Sequence, residues 1–199
     1  MKEYSMVMGL FDFIPVILFF LGANLIAADL RGKIRKSAWF CFVAGILLMS
    51  LAGTCKAAYK LLYAANLGDF MFLSDQFFPS QAFGFLLAGI GLAVGVSRPQ
   101  KKLLAVPVMP FVFVMIVGLG AMDSALVFLS RQLKERRAMV LFIVNFFLTL
   151  IMGYLSSHEY DGALMNWIAQ TMNLFVQLIF YTGCRCLHKA GLADWKPAV

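Results

Sequence analysis

The chain has 199 residues, of which 62% are hydrophobic and only 14% are charged, whereas soluble domains carry about a quarter charged residues. This composition excludes an ordinary soluble domain. The formal net charge is +7, but the basic residues stand in short loops beside apolar runs, which is typical of membrane orientation and argues against nucleic acid as a partner.

The apolar runs predict the fold class. Runs of about 20 residues, long enough to cross a bilayer, recur along the whole chain and are continuous. In lipid the backbone must satisfy its own hydrogen bonds, so such runs form helices or closed barrels. Strands of a transmembrane barrel would show alternating apolar and polar residues over segments of about ten residues. The sequence therefore predicts an all-α, multi-pass membrane bundle, in which residues 1–199 form a single transmembrane domain of six to seven membrane segments.

The first half of the chain contains three predicted spans. The first covers about Met8–Ala28 and is interpreted as uncleaved, because the basic residues follow it rather than precede it. The second covers about Ser37–Cys55, with an alternative end at Ala65, and the third covers about Gln81–Val96. Lys56 and Lys60 end the second span and are interpreted as snorkelling residues.

The third span has a face of small residues. They are Gly84, Ala88, Gly91 and Gly95. Small residues let a neighbouring backbone approach closely, so this face predicts tight helix packing. A narrow pore wall is the alternative interpretation.

For the next apolar segment, Leu103–Ser130, the distribution of basic residues and the length of the segment favour different numbers of membrane crossings. If it crosses once, 7 basic residues lie on one side and 10 on the other; if it enters and returns, 14 lie inside and 3 outside. Two full crossings need about 40 residues, and the segment has 28. The compromise is a short re-entrant helical hairpin at residues 103–130 that turns at Gly118–Gly120. The alternative is one span, Leu103–Met122, and then an interfacial helix capped by Asp123.

Two predicted spans remain, about Ala138–Ser156 and Ala163–Cys184, and each has a polar stripe. The stripe of the last span contains the carboxamides Asn166, Gln170, Asn173 and Gln177, spaced as one narrow helical face. The preceding span repeats the spacing with Asn145, Thr149, Met152 and Ser156. An antiparallel pair would place Asn145 level with Gln177. Two hypotheses stay open: the stripes hydrogen-bond to each other, or they line a path for a solute.

Ionisable groups within the apolar segments are rare. Asp123 would lie near the tip of the hairpin, and intramembrane carboxylates are candidate functional groups. For an intramembrane enzyme the other candidates would be His158 and Glu159, but no nucleophile or phosphate-binding motif accompanies them. No metal site is predicted, and the sequence assigns no cofactor.

The predicted function is binding or translocation of a small solute or ion, as in a transporter or channel. The candidate binding residues are Asn145, Thr149, Asn166, Gln170, Asn173, Gln177 and Asp123. The alternative is a non-catalytic membrane subunit or sensor that acts through a cytoplasmic partner, and an intramembrane enzyme is third. The expected partners are the lipid bilayer, a small solute or ion, and a second copy or partner subunit.

The charge distribution also predicts the orientation. With most basic residues inside, the N-terminus lies outside and the C-terminus is cytoplasmic, in the plasma (inner) membrane.

Overall fold

The computed structural model describes residues 4–97, 111–156 and 163–196, and these residues form helices and turns without a strand. In chain order the helices are α1 (Met6–Phe11), α2 (Phe13–Leu30), α3 (Lys36–Ala64), α4 (Met71–Asp75), α5 (Phe77–Val96), α6 (Phe111–Gln132), α7 (Arg136–Ser156) and α8 (Ala163–Lys189), followed by a 3₁₀ turn at Leu192–Asp194. The predicted all-α class is confirmed.

Several of these helices are long and apolar enough to cross a membrane. By length and composition they are Met6–Leu30, Lys36–Ala64, Met71–Val96, Val112–Gln132 and Arg136–Leu155. α8 has 27 residues, but its carboxamides and its basic end make it less apolar. A helical membrane bundle fits these lengths. Residues 98–110, on which the predicted number of segments depends, lie outside the described residues.

α3 and α5 pack against each other through glycine. A Cβ at Gly91 would lie 2.5 Å from the backbone nitrogen of Phe42, and one at Gly45 would lie 2.5 Å from that of Ala88. Only glycine permits the backbones to come this close. The small-residue face of α5 is therefore confirmed as a packing surface, and the pore-wall alternative fails because α3 covers it.

α5 and α6 run in the same direction. Gly118 of α6 packs on Phe85 and Leu86, while Gly89 of α5 packs on Gly118 and Ala121. The two helices are therefore parallel. It follows that Val96 and Gln132 lie at the same end of the bundle.

Side-chain contacts gather the basic segments at this end. Lys33 Nζ donates a hydrogen bond to the backbone oxygen of Leu192 at 2.7 Å, and Trp195 Nε1 donates one to Gln132 Oε1 at 2.6 Å. We call this the basic end: residues 31–36, 131–137 and 185–196. The charge argument placed the first two segments on one side, and the structure confirms that they share an end.

The first described residues lie at the other end, which we call the N-terminal end. There the ring of Tyr4 packs against Tyr59 and Tyr63 near the end of α3, with centroid distances of 6.3 and 5.8 Å. The first and last described residues are therefore on opposite ends of the bundle.

The predicted turn at Gly118–Gly120 is wrong. α6 continues as a regular helix through these residues, and Gly118 serves packing instead, since a Cβ there would lie 2.4 Å from the backbone nitrogen of Leu86. The alternative with a helix cap at Asp123 is also wrong, because Asp123 lies inside α6. Residues 103–110 lie outside the described residues.

Candidate solute-binding cavity

A cavity of about 140 Å³ lies between α2, α3, α5, α6, α7 and α8. A space of this size can hold a molecule about as large as benzene. Its polar lining consists of Asp12, Ser50, Lys56, Lys60, Gln81, Thr149, Gln170, Asn173 and Gln177. The remaining wall is mainly aromatic and aliphatic. Such a mixture of apolar wall and few polar groups is typical of small-molecule sites.

The carboxamide stripe of α8 supplies much of this polar lining. The cavity is lined by Gln170, Asn173 and Gln177. Their spacing places all three on one face of the helix, so they line the cavity together. Asn166 is half-buried and lies one turn nearer the N-terminal end, and it is not among the lining residues. The stripe therefore faces the interior of the bundle along most of its length.

Gln170 is the most unusual of these residues. Its side chain is only 3% exposed, and neither Nε2 nor Oε1 has a hydrogen-bond partner within the described part of the chain. A carboxamide offers two donors and an acceptor, and a buried polar group without a partner costs about 1–3 kcal/mol. A polar occupant of the cavity would remove that cost.

Three ionisable residues lie at the N-terminal side of the cavity. Lys60 Nζ is 2.5 Å from Asp12 Oδ2. Lys56 Nζ instead lies over the ring of Phe77, 4.1 Å from its centroid, and 5.4 Å from that of Phe78. No carboxylate pairs with Lys56 in the ranges that the structure describes.

α7 contributes to the cavity with only part of its stripe. Thr149 and Met152 line the cavity. The antiparallel register with α8 is as predicted, because the rings of Phe142 and Phe180 pack with centroids 6.1 Å apart. The side chain of Ser156 lies outside the described residues.

The predicted partner of Asn145 is wrong. Its Nδ2 lies 3.4 Å from each carboxylate oxygen of Asp123 on α6, rather than against Gln177. α6 covers the face of α7 that bears Asn145, so the carboxyl group of Asp123 rather than the side chain of Gln177 lies within reach of its amide. Within the described ranges no hydrogen bond joins Asn145 or Thr149 to Asn173 or Gln177.

Asp123 and Asn145 thus form a pair apart from the central cavity. Each is 3% exposed, and Asn145 Oδ1 has no partner among the described residues. Asp123 borders a separate groove between α6 and α7, together with Ser124, Phe142 and Phe146. The predicted site residues therefore divide between two places in the fold.

Sequence reasoning missed the residues that α3 contributes. Lys56 and Lys60 were expected to snorkel, but they line the cavity. A signal was present, because Met49, Gly53, Lys56 and Lys60 repeat the spacing of the α8 stripe. Two lysines on the face of a membrane helix that also bears glycine indicate an inward face.

The enzyme hypothesis gains no geometric support from these contacts. His158 and Glu159 lie outside the described residues. Within the described ranges, no group of three or more His, Cys, Asp or Glu residues could hold a metal ion.

Comparisons with protein-family models, with curated proteins and with solved structures find no match to this chain.

Proposed function

We propose that the chain is an integral membrane protein that binds a small solute in the central cavity and moves it across the bilayer. The proposal rests on Gln170, which lines the cavity and whose buried carboxamide has no hydrogen-bond partner among the described residues. In hydrocarbon such a group is costly unless something binds to it.

The shape of the cavity supports a site for a solute. Its lining on α3 extends from Met49 to Lys60, a rise of roughly 16 Å at about 1.5 Å per residue. Polar groups follow this length on α3 and α8, while α2, α5, α6 and α7 supply mainly apolar side chains. A solute would therefore meet hydrogen-bonding groups at successive depths.

The packing toward the basic end supports translocation in steps. Beyond Gln177 the interior is filled by Phe180, Cys184 and Leu187, each at most 3% exposed. A site that is closed on one side by packed side chains is expected of a protein that alternates its access. Movement of α8 against α2, where Phe19 and Phe180 stack at 5.4 Å, would open that side.

A second candidate function is a subunit or sensor that acts through a cytoplasmic partner. It is favoured by the ordered basic end, where Lys33 and Gln132 fasten the segment after α8. Such a protein would show no solute flux until its partner is added.

Purified full-length protein in liposomes tests the proposal. A panel of small solutes is first screened for an increase in thermal stability, and those that bind are then tested for uptake. Gln170→Leu should abolish both responses, and Thr171→Leu, which changes an exposed residue of the same helix, should abolish neither. Binding that is unchanged in Gln170→Leu would place the solute elsewhere.

A further inference from the structure

We infer that the cavity takes a compact monoanion with an apolar body, whose charged group binds Lys56. This inference rests on the proposed function, since it names the chemical class of the solute for the same cavity.

The charges of the residues that line the cavity indicate that the solute is an anion. Asp12, Lys56 and Lys60 are the ionisable residues that line it in the described part of the chain. Lys60 is paired with Asp12 at 2.5 Å, so these two charges offset each other. Lys56 remains: Asp12 also attracts it, but no carboxylate among the described residues lies within ion-pair distance of its ammonium group. One negative charge on the solute would make the site neutral.

The aromatic neighbours of Lys56 do not replace an anion. The face of Phe77 attracts the ammonium group at 4.1 Å, but a ring quadrupole carries no net charge. It orients the cation, and the N–H donors that point away from the rings remain available for an anion. Low-dielectric walls also strengthen the attraction between Lys56 and an entering anion.

The size and chemistry of the wall limit the rest of the solute. The volume is about 140 Å³, which suits a single small ring or a short branched chain. Phe19, Phe85, Met115 and Met152 line the cavity with apolar surface, so a bare inorganic anion would leave that surface without contact.

Three ring compounds of similar size test the charge preference: benzoate, benzamide and benzylammonium. Their dissociation constants are measured on the full-length protein in nanodiscs. Benzoate should bind at least about tenfold more tightly than benzamide, because a charged hydrogen bond is replaced by a neutral one, and benzylammonium should bind most weakly. Lys56→Gln should remove the difference between benzoate and benzamide. The control Lys189→Gln, an exposed lysine at the basic end, should preserve it.

A second measurement reports the charge of the cavity without depending on binding. Gln81→Cys places a thiol in the cavity wall at a partly exposed position, in a background where the four native cysteines are replaced by alanine. Anionic and cationic methanethiosulfonate reagents are then compared by their rates of reaction. The anionic reagent should react severalfold faster relative to its rate with a free thiol, and Lys56→Gln should abolish that preference.

The results distinguish a failure of the anion inference from a failure of the proposed function. If benzamide binds as tightly as benzoate, or if the cationic reagent reacts at least as fast, the anion inference is overturned. The proposed function then survives if Gln170→Leu still abolishes benzamide binding. Failure of all three ring compounds to bind counts against the proposed function, while the reagent rates still decide the sign of the charge in the cavity.

Discussion

Asn145 donates its side-chain amide to both carboxylate oxygens of Asp123, at 3.4 Å each, between the middle of α7 and the second half of α6. Both residues are buried, so no water competes for this contact. It explains why Asn145 leaves the polar stripe of α7 and does not line the cavity.

Asn145→Leu should lower the free energy of unfolding by about 1–3 kcal/mol, because it leaves the Asp123 carboxyl buried without a donor. The double variant Asp123→Leu with Asn145→Leu should be less unstable than the two single losses added together. Equilibrium unfolding in mixed micelles measures all three variants. Additive losses would show that the two side chains do not interact.

Gln170→Leu should have opposite effects on stability and on solute binding. Removing a buried carboxamide without a partner should raise the free energy of unfolding by roughly 1 kcal/mol, while the cavity loses its central polar group. Functional sites commonly show this trade-off, in which a group that is needed for function lowers the stability of the fold. Unfolding measured without solute, beside Thr171→Leu as the control, tests the gain. A loss of stability would mean that Gln170 has a structural partner.

Gly91→Ala should destabilise the bundle by about 2 kcal/mol or more, because overpacking separates α3 from α5. The new Cβ would lie 2.5 Å from the backbone nitrogen of Phe42, and backbone cannot move aside as a side chain can. Gly120→Ala is the matched control, since among the described residues its Cβ would meet only Phe146, at 3.6 Å. That control should be neutral or stabilising by up to about 1 kcal/mol, the difference in helix propensity. Equal losses in unfolding experiments would contradict the close packing of α3 on α5.

Trp195→Ala should release the segment that follows α8. The indole is 7% exposed and donates to Gln132 at 2.6 Å, so the change removes both packing and a hydrogen bond. Tryptic cleavage after Lys189 should become faster. Trp195→Phe, which retains an aromatic ring, should give a smaller increase. If both variants are cleaved at the wild-type rate, this contact does not hold the segment in place.

Single cysteines should report which residues share a side of the membrane. Lys36→Cys and Arg136→Cys are both at the basic end, whereas Asp69→Cys follows α3 at the N-terminal end. In intact cells an impermeant maleimide should label only the cysteine at position 69, because basic loops remain inside. Labelling at position 136 but not at 36 would contradict the shared end. Labelling at positions 36 and 136, with position 69 protected, would show that the protein has the opposite orientation.

Several features of this protein follow from its sequence alone. Long apolar runs must become helices, since lipid offers the backbone no hydrogen bonds. The charge distribution placed residues 31–36 and 131–137 together, and contacts at Leu192 and Trp195 show that they share an end. Helical periodicity also predicted that the stripe with Gln170, Asn173 and Gln177 faces inward, where these residues line the cavity.

The tertiary structure alone decided which groups meet. Periodicity defines the face of a helix but not the neighbour that covers it, so Asn145 could be matched with Gln177 although its partner is Asp123. Gly118 and Gly120 are compatible with a turn or with a continuous helix, and the choice depends on α5 lying against Gly118. Lys56 could snorkel outward or turn inward, and the rings of Phe77 and Phe78 hold it inward. In each case the deciding energy comes from a contact between helices, which the pattern within one helix does not contain.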